Sequence, residues 1–206
     1  MLHKPNMKKW GHDDKILQFI FLYIIFFGWL SLIKDNTEFF YYSIVALLAL
    51  VVLFFLHKRV RFPLLLLVSL ALWGALHFIG GLVHIEGVVI YELTWFGLGY
   101  DNYIHLVSSF IVTIIAYSLL EPGLNKKIKG RKIYLGILLG LIGFGVAAVG
   151  EIVELAGVIF LGNAGVGDYL NNAIDLVFNG LGATLASILI VRHHHKKDLI
   201  KVKSKK

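Results

Sequence analysis

Residues 150–182 read GEIVELAGVIFLGNAGVGDYLNNAIDLVFNGLG, a stretch that combines long apolar runs with a dense set of carboxylates and amides. Glu151 and Glu154 lie three positions apart inside a run that is otherwise apolar. Four further polar residues follow at steps of four, three and four: Asp168, Asn172, Asp175 and Asn179. This spacing places them on one face of a helix. Because polar groups in hydrocarbon are costly, they indicate a functional site or a buried network.

The composition of the whole chain is typical of a membrane protein. Of its 206 residues, 58% are hydrophobic and only 16% are charged, against about 25% in a soluble domain. The chain has no cysteine, which excludes disulfides and thiolate chemistry. The net charge of +7 comes from basic residues at the two ends and in two loops. That distribution fits anionic membrane lipids as partners and does not indicate nucleic acid.

Six segments are long and apolar enough to cross a bilayer, which takes roughly 20 residues. They cover about residues 16–33, 39–56, 63–83, 102–120, 133–160 and 171–191. We therefore predict an all-α polytopic membrane protein with six transmembrane helices. Its single membrane-embedded domain, 1–206, comprises an N-terminal segment (1–15), the six-span bundle (16–191) and a basic tail (192–206).

Two regions of the predicted bundle have a distinct character. Spans one and two carry few polar residues, so we expect lipid-facing packing helices. The connection between spans three and four, residues 85–100, is short, apolar and aromatic. Because Trp and Tyr favour the membrane interface, it predicts a short interfacial helix that covers the site.

The distribution of Lys and Arg predicts the orientation of the spans. Nineteen of the twenty basic residues lie in the two terminal segments and in the second and fourth loops. The remaining one, Lys34, lies in the first loop. By the positive-inside rule both termini are cytoplasmic, and the protein is a multi-pass protein of the plasma membrane.

With this topology the titratable groups of spans three to six converge in the outer half of the bundle. The pair Asp101 and His105 has helical i, i+4 spacing and suits an acid–base pair or two metal ligands. Alternatively, Asp101 caps the helix and His105 is a satisfied interior histidine. Glu151 and Glu154 would chelate a hard cation, share a proton or hold helices together.

We assign the candidate residues to two classes. The candidate catalytic residues, which are also the candidate ligands of a divalent metal cofactor, are Asp101, His105, Glu151 and Asp175. The candidate binding residues are His77, Glu154, Asp168, Asn172 and Asn179. The oxygen-rich stripe 168–179 suits Mg²⁺ or Ca²⁺, although Asp168 would serve equally well as a helix cap.

Five motifs follow one another in the chain: ALHFIGGLVHI, YDNYIHLVSSF, Glu121, GEIVELA and DYLNNAIDLVFNGLGA. Residues 75–186, which contain them, resemble the YjdF-like inner-membrane proteins and, more distantly, the VanZ-like proteins. The resemblance implies a shared site at Asp101, His105, Glu151, Asp175, Asn179 and Gly182. The sequence departs from the YjdF-like pattern at Leu106, where that family often has phenylalanine. The resemblance supplies no reaction.

Three functional hypotheses follow. The leading one is a membrane protein whose outward-facing site binds or acts on a lipid or isoprenoid headgroup, with a divalent metal. The second is a small cation- or proton-coupled transporter, since intramembrane carboxylates also build ion paths. The third is a non-catalytic accessory protein of the cell envelope. Depth separates the first two, because a transporter needs polar groups in both halves of the membrane.

Overall fold

The structure, a computed structural model, describes residues 11–162 and 169–203, with side chains up to His193. Asp168 lies outside the described residues. Seven α-helices are present in the described part: α1 (His12–Ile33), α2 (Thr37–Val60), α3 (Leu64–Leu82), α4 (Tyr100–Leu120), α5 (Lys126–Gly130), α6 (Lys132–Leu161) and α7 (Tyr169–Lys203). All except α5 are long and apolar enough to span a membrane. The predicted fold class is confirmed, with most span ends correct to about one helical turn.

Helix α7 extends into the basic C-terminal segment. Helix α7 continues beyond the apolar span, which ends at His193, as far as Lys203. No glycine or proline follows Gly182 in the sequence, so nothing in the local chemistry stops the helix. The basic segment therefore begins as a continuation of the last span.

The connection between α3 and α4 contains only one turn of 3-10 helix, Ile90–Glu92, where an interfacial helix was expected. Two antiparallel hairpins flank this turn: β1 (His84–Ile85) pairs with β2 (Val88–Val89), and β3 (Thr94–Trp95) pairs with β4 (Leu98–Gly99). Each hairpin turns at a residue followed by glycine, Glu86-Gly87 and Phe96-Gly97, with positive φ at both positions. Such two-residue turns favour hairpins, and glycine allows them. The X-Gly pairs therefore favour hairpins in this segment, although its apolar and aromatic composition predicted an interfacial helix.

The spans form two groups of three helices. Helix α1 packs against α2 and α3, while α4, α6 and α7 pack closely against one another. Contacts between α3 and α4 join the groups, and Tyr41 on α2 donates a hydrogen bond to the Val153 carbonyl on α6 (3.0 Å). A cavity lies between the two groups, at the end that carries the hairpins.

Candidate functional site

His105, on the second turn of α4, is the centre of a buried polar cluster. Its side chain meets carboxylates from three helices: Nε2 is 3.3 Å from Asp101 Oδ1 and 3.9 Å from Asp175 Oδ1, and Nδ1 is 3.1 Å from Glu151 Oε1. Asp101 comes from the preceding turn of α4, Glu151 from α6 and Asp175 from α7. Both ring nitrogens of one histidine therefore face carboxylate oxygens.

Four asparagines surround these carboxylates and donate hydrogen bonds to them. Glu151 accepts from Asn179 (2.6 Å) and from Asn172 (3.2 Å), one to each oxygen. Asp175 accepts from Asn171 (2.8 Å) and from Asn102 (3.4 Å). These amide donors hold the carboxylate oxygens of Glu151 and Asp175 in fixed positions.

Asn179 is exceptional among these amides. Its side chain is 1% exposed, and its Nδ2 lies near both Glu151 Oε1 and His105 Nδ1. Its Oδ1 has no hydrogen-bond partner among the residues that the structure describes, although a buried acceptor of this kind is costly to leave unsatisfied. This oxygen is a buried acceptor beside the carboxylate cluster for which the described residues supply no donor.

Small residues allow the three helices of the cluster to approach this closely. A Cβ atom added at Gly182 on α7 would lie 2.1 Å from the Leu106 carbonyl oxygen of α4. One added at Gly143 on α6 would collide with the Thr113 hydroxyl of α4. Membrane helices lack a hydrophobic force between them and rely on such close contacts. The glycines one turn or two from the polar residues therefore bring Asp175, Glu151 and His105 together.

Two overlapping groups in the cluster have the geometry of metal ligands. Asp101, His105 and Asp175 each offer one ligand atom, and these three atoms lie within 4.8 Å of one another. The same holds for His105, Glu151 and Glu154. The groups share the imidazole, so a single ion would occupy one side of the ring while the other side makes a hydrogen bond.

The cluster opens onto a cavity of about 400 Å³. Asp101, His105, Glu154 and Asn179 line one side of it. The opposite side consists mainly of aromatic residues and carboxylates from α2, α3 and the connection to α4: Glu38, Phe39, Tyr42, Trp73, His77, Tyr91 and Glu92. The lining also includes Asn36 and Val89 from the first and third loops, so the cavity reaches the hairpin end of the bundle.

His77 belongs to the aromatic side of the cavity and lies apart from the His105 cluster. The Tyr91 hydroxyl oxygen lies 2.6 Å from His77 Nδ1. The centroids of four other rings lie within 6.2 Å of the His77 ring centroid: Phe39, Tyr42, Trp73 and Phe78. Burial raises the pKa of Tyr91 well above its usual range, so its hydroxyl keeps its proton and forms a hydrogen bond with Nδ1 of His77. His77 is thereby oriented by the connection between α3 and α4.

The structure therefore brings together most of the predicted site residues. Asp101, His105, Glu151 and Asp175 form the cluster, with Asn172 and Asn179 bound to it. Glu154 faces the cavity beside them and His77 lies across it. Asp168 is not among the described residues.

Other functional residues were missed from the sequence. Helix α2 was expected to be only a lipid-facing helix, yet Glu38 and Tyr42 line the cavity. Their i, i+4 spacing at the start of the span was the available signal, as was that of Trp73 and His77 in span three. Asn102 and Asn171, which bind Asp175, were also overlooked.

Comparison with protein families matches residues 16–196 to a family described as Predicted membrane protein (DUF2238). Neither the curated proteins nor the solved structures gave a match. The match is consistent with the resemblance to YjdF-like proteins, whereas the resemblance to VanZ-like proteins stays a prediction. The matched range includes most of the first span, all of the other five and every residue of the cluster. The chain is therefore a member of this family of integral membrane proteins.

Proposed function

We propose that the protein binds a divalent metal ion at the His105 cluster and uses it to hold, and act on, the polar headgroup of a membrane lipid. The observation that supports this most is the arrangement around His105 Nε2, which has carboxylate oxygens of Asp101 and Asp175 at 3.3 and 3.9 Å. Neighbouring ligands of a tetrahedral ion with bonds of about 2.1 Å are about 3.4 Å apart. The three side chains would therefore close around an ion with small rotamer adjustments.

Glu151 has a different role in this proposal. In the metal-bound protein it would accept a hydrogen bond from Nδ1–H of His105, which would leave the lone pair of Nε2 directed towards Asp101 and Asp175. A metal-binding histidine commonly donates its other N–H to a carboxylate, which fixes the tautomer and strengthens the ligand. Asn172 and Asn179 hold Glu151 in place through its two oxygens.

The proposed chemistry follows from the ligand set. One imidazole and two carboxylates suit Zn²⁺ or Mn²⁺ and leave positions open for an oxygen of the substrate. A bound divalent ion would polarise a phosphoryl or carbonyl oxygen of the headgroup. Glu154, which lines the cavity beside the cluster, would accept or donate the proton that such a reaction moves.

The transporter hypothesis has less support from the geometry. Towards the opposite end of α4, α6 and α7, the buried polar side chains of the described residues are hydroxyls. Ser109, Thr113 and Ser187 each donate to a carbonyl of their own helix. Gly143 and Gly182 keep the helices in contact at this level. An ion path through the bundle would need polar groups that these contacts do not provide.

We further propose that the cavity faces away from the cytoplasm, as the charge distribution predicts. Because the chain has no cysteine, single-cysteine variants report topology without background. In intact cells we expect an impermeant maleimide to label Trp95→Cys in the second hairpin and to leave Lys127→Cys on α5 unlabelled. The opposite pattern would assign the site to the cytoplasmic leaflet.

The metal proposal is tested by melting the purified protein with Mn²⁺ or Zn²⁺. An ion at 100 times its dissociation constant stabilises the folded state by about 2.7 kcal/mol, so we expect a clear rise of the thermal midpoint. The rise should be absent in Asp175→Asn and retained in Glu121→Gln, which removes a carboxylate at the opposite end of α4. A wild-type midpoint that responds to neither ion, or an equal response in Asp175→Asn, would contradict the proposal.

A further inference from the structure

The side of the cavity opposite the metal-ligand cluster has a chemistry of its own. It combines three aromatic side chains with acidic ones: Tyr42 on α2, Trp73 on α3 and Tyr91 in the connection to α4, together with Glu38 and Glu92. The three aromatic side chains are half-buried, as expected for rings that face a cavity. We call these five residues the aromatic–acidic wall.

The charged side chains that line the cavity are predominantly acidic. Its lining includes four carboxylates, those of Glu38, Glu92, Asp101 and Glu154. Among the lining residues that the structure describes, none is a lysine or an arginine. A cavity that selected phosphate or diphosphate with protein side chains alone would present such cations. The only positive charge that the cluster could offer a phosphate is His105 or a bound metal.

Contacts with neighbouring residues hold the rings of the wall in fixed positions, and the Trp73 ring is stacked on the His77 ring with centroids 6.2 Å apart. Trp73 donates its indole N–H to the Ile104 carbonyl of α4 (3.2 Å), which fixes the plane of the ring. Tyr91 is held through its hydroxyl by His77 and packs edge-on against Tyr100, with ring centroids 5.3 Å apart. Glu38 and Tyr42 are one turn apart on α2. Rigid aromatic faces beside carboxylates form the environment that attracts an organic ammonium group.

From this wall we propose that the cavity recognises an organic ammonium group, such as the amine end of an aminoalkyl phosphate headgroup. This inference rests on the proposed function and specifies its ligand: the ammonium lies against the aromatic–acidic wall, while the phosphate lies towards the His105 cluster. A purely isoprenoid diphosphate would place no positive group against the wall.

The first test separates charge from shape with small soluble probes. Choline and 3,3-dimethylbutan-1-ol have nearly the same shape, and only choline is charged. We expect choline to bind the purified full-length protein about tenfold more tightly, the usual size of a desolvated cation–π effect together with a carboxylate. Tryptophan fluorescence, with calorimetry for confirmation, measures both affinities.

Variants of the wall provide the structural control. Glu38→Gln and Trp73→Phe should each reduce the preference for choline several-fold, whereas Glu86→Gln, in the exposed turn of the first hairpin, should leave it unchanged. Thermal melting of each variant in the absence of ligand shows whether it is folded. Equal binding of the two probes by the wild-type protein, or a preference that survives both wall variants, would overturn the inference.

The second test identifies the source of the ammonium group. The protein is reconstituted in nanodiscs that contain phosphatidylethanolamine and phosphatidylglycerol with matched acyl chains. It is then released from the nanodiscs, and native mass spectrometry counts the lipids that stay bound to it. Enrichment of phosphatidylethanolamine, lost in Glu38→Gln, assigns the ligand to the lipid. Choline binding without lipid enrichment assigns it to a soluble amine. The metal-induced rise of the thermal midpoint is independent of both outcomes, so failure here is distinguishable from failure of the metal proposal.

Discussion

The two groups of helices differ in what fills their interiors near the cavity. In α1, α2 and α3 the interior is filled by large apolar side chains, with Phe78 stacked on Phe27 at 5.3 Å between centroids. In α4, α6 and α7 the contacts near the site are made by Gly143, Gly182 and Ala183 and by hydrogen-bonded polar groups. Large apolar side chains fill most of the interior of the first group, while the contacts of the second group near the site depend on small side chains.

The comparison explains where the polar site is located. A carboxylate cluster forms only where several helices approach closely enough for their side chains to hydrogen-bond. Large side chains at the helix contacts prevent that approach. The glycine-rich group provides that distance, and the aromatic group provides a rigid wall across the cavity. The following predictions test this division between the two groups, in order of decreasing effect.

Loss of volume should damage the first group most. Phe78 is 2% exposed, so we expect Phe78→Ala to lower the free energy of unfolding by about 3–5 kcal/mol, the usual cost of a large cavity. Phe55→Ala, at an exposed position of α2, serves as the control and should have little effect. Because Phe78 is remote from the cluster, metal affinity of the folded fraction should be unchanged. Denaturant titration in mixed micelles measures the stability, and a large loss of metal affinity would contradict the division.

Gain of volume should damage the second group. A Cβ at Gly182 would meet backbone and a hydroxyl of α4 at 2.1 Å, whereas one at Gly180 would be in ordinary contact with Phe144 at 3.8 Å. We therefore expect Gly182→Ala to destabilise by about 1–3 kcal/mol, as overpacking does, and to weaken metal binding by separating Asp175 from His105. Gly180→Ala on the same helix should be neutral or slightly stabilising. Equal effects of the two substitutions would show that close approach of α7 to α4 is unimportant.

The carboxylate of Asp175 should matter for binding more than for stability. Asp175→Asn keeps the size of the side chain and removes one negative charge from a crowded cluster, so we expect a change of at most about 1 kcal/mol without metal. Leu139→Ala, fully buried on α6, serves as the packing control and should cost about 2–5 kcal/mol. If Asp175→Asn destabilises as much as the control, the cluster serves to hold the helices together.

The contact between the groups should contribute least. Tyr41→Phe removes the hydrogen bond from α2 to the Val153 carbonyl, and because this bond is only part-buried we expect a loss of about 0.5 kcal/mol, the low end of the usual range for a hydrogen bond. Tyr134→Phe, at an exposed position of α6, is the matched control. Unchanged stability in Tyr41→Phe would mean that the cavity is kept open by α3 and α4 alone.

Much of this architecture was predictable from the sequence, and the remainder has physical reasons. Apolar length identified all six spans, and helical spacing indicated that Asp175, Asn179 and His105 would face one interior. The side of the cavity formed by Glu38 and Tyr42 was not foreseen, because a single carboxylate near a span end is also typical of a helix terminus at the interface. The hairpins were missed because the aromatic content of 85–100 outweighed two X-Gly pairs. Which asparagine binds which carboxylate depends on rotations of three helices, which no local pattern encodes.

The central claim is that His105 Nε2, Asp101 and Asp175 bind one divalent ion. X-ray absorption spectroscopy of the Zn²⁺-loaded protein tests it most directly, because scattering from an imidazole ring is distinct from that of carboxylates and water. We predict a single imidazole nitrogen with oxygen ligands at about 2.0–2.2 Å, and loss of the imidazole signal in His105→Gln. A spectrum with two or more imidazoles, or one identical to that of the hydrated ion, would contradict the account.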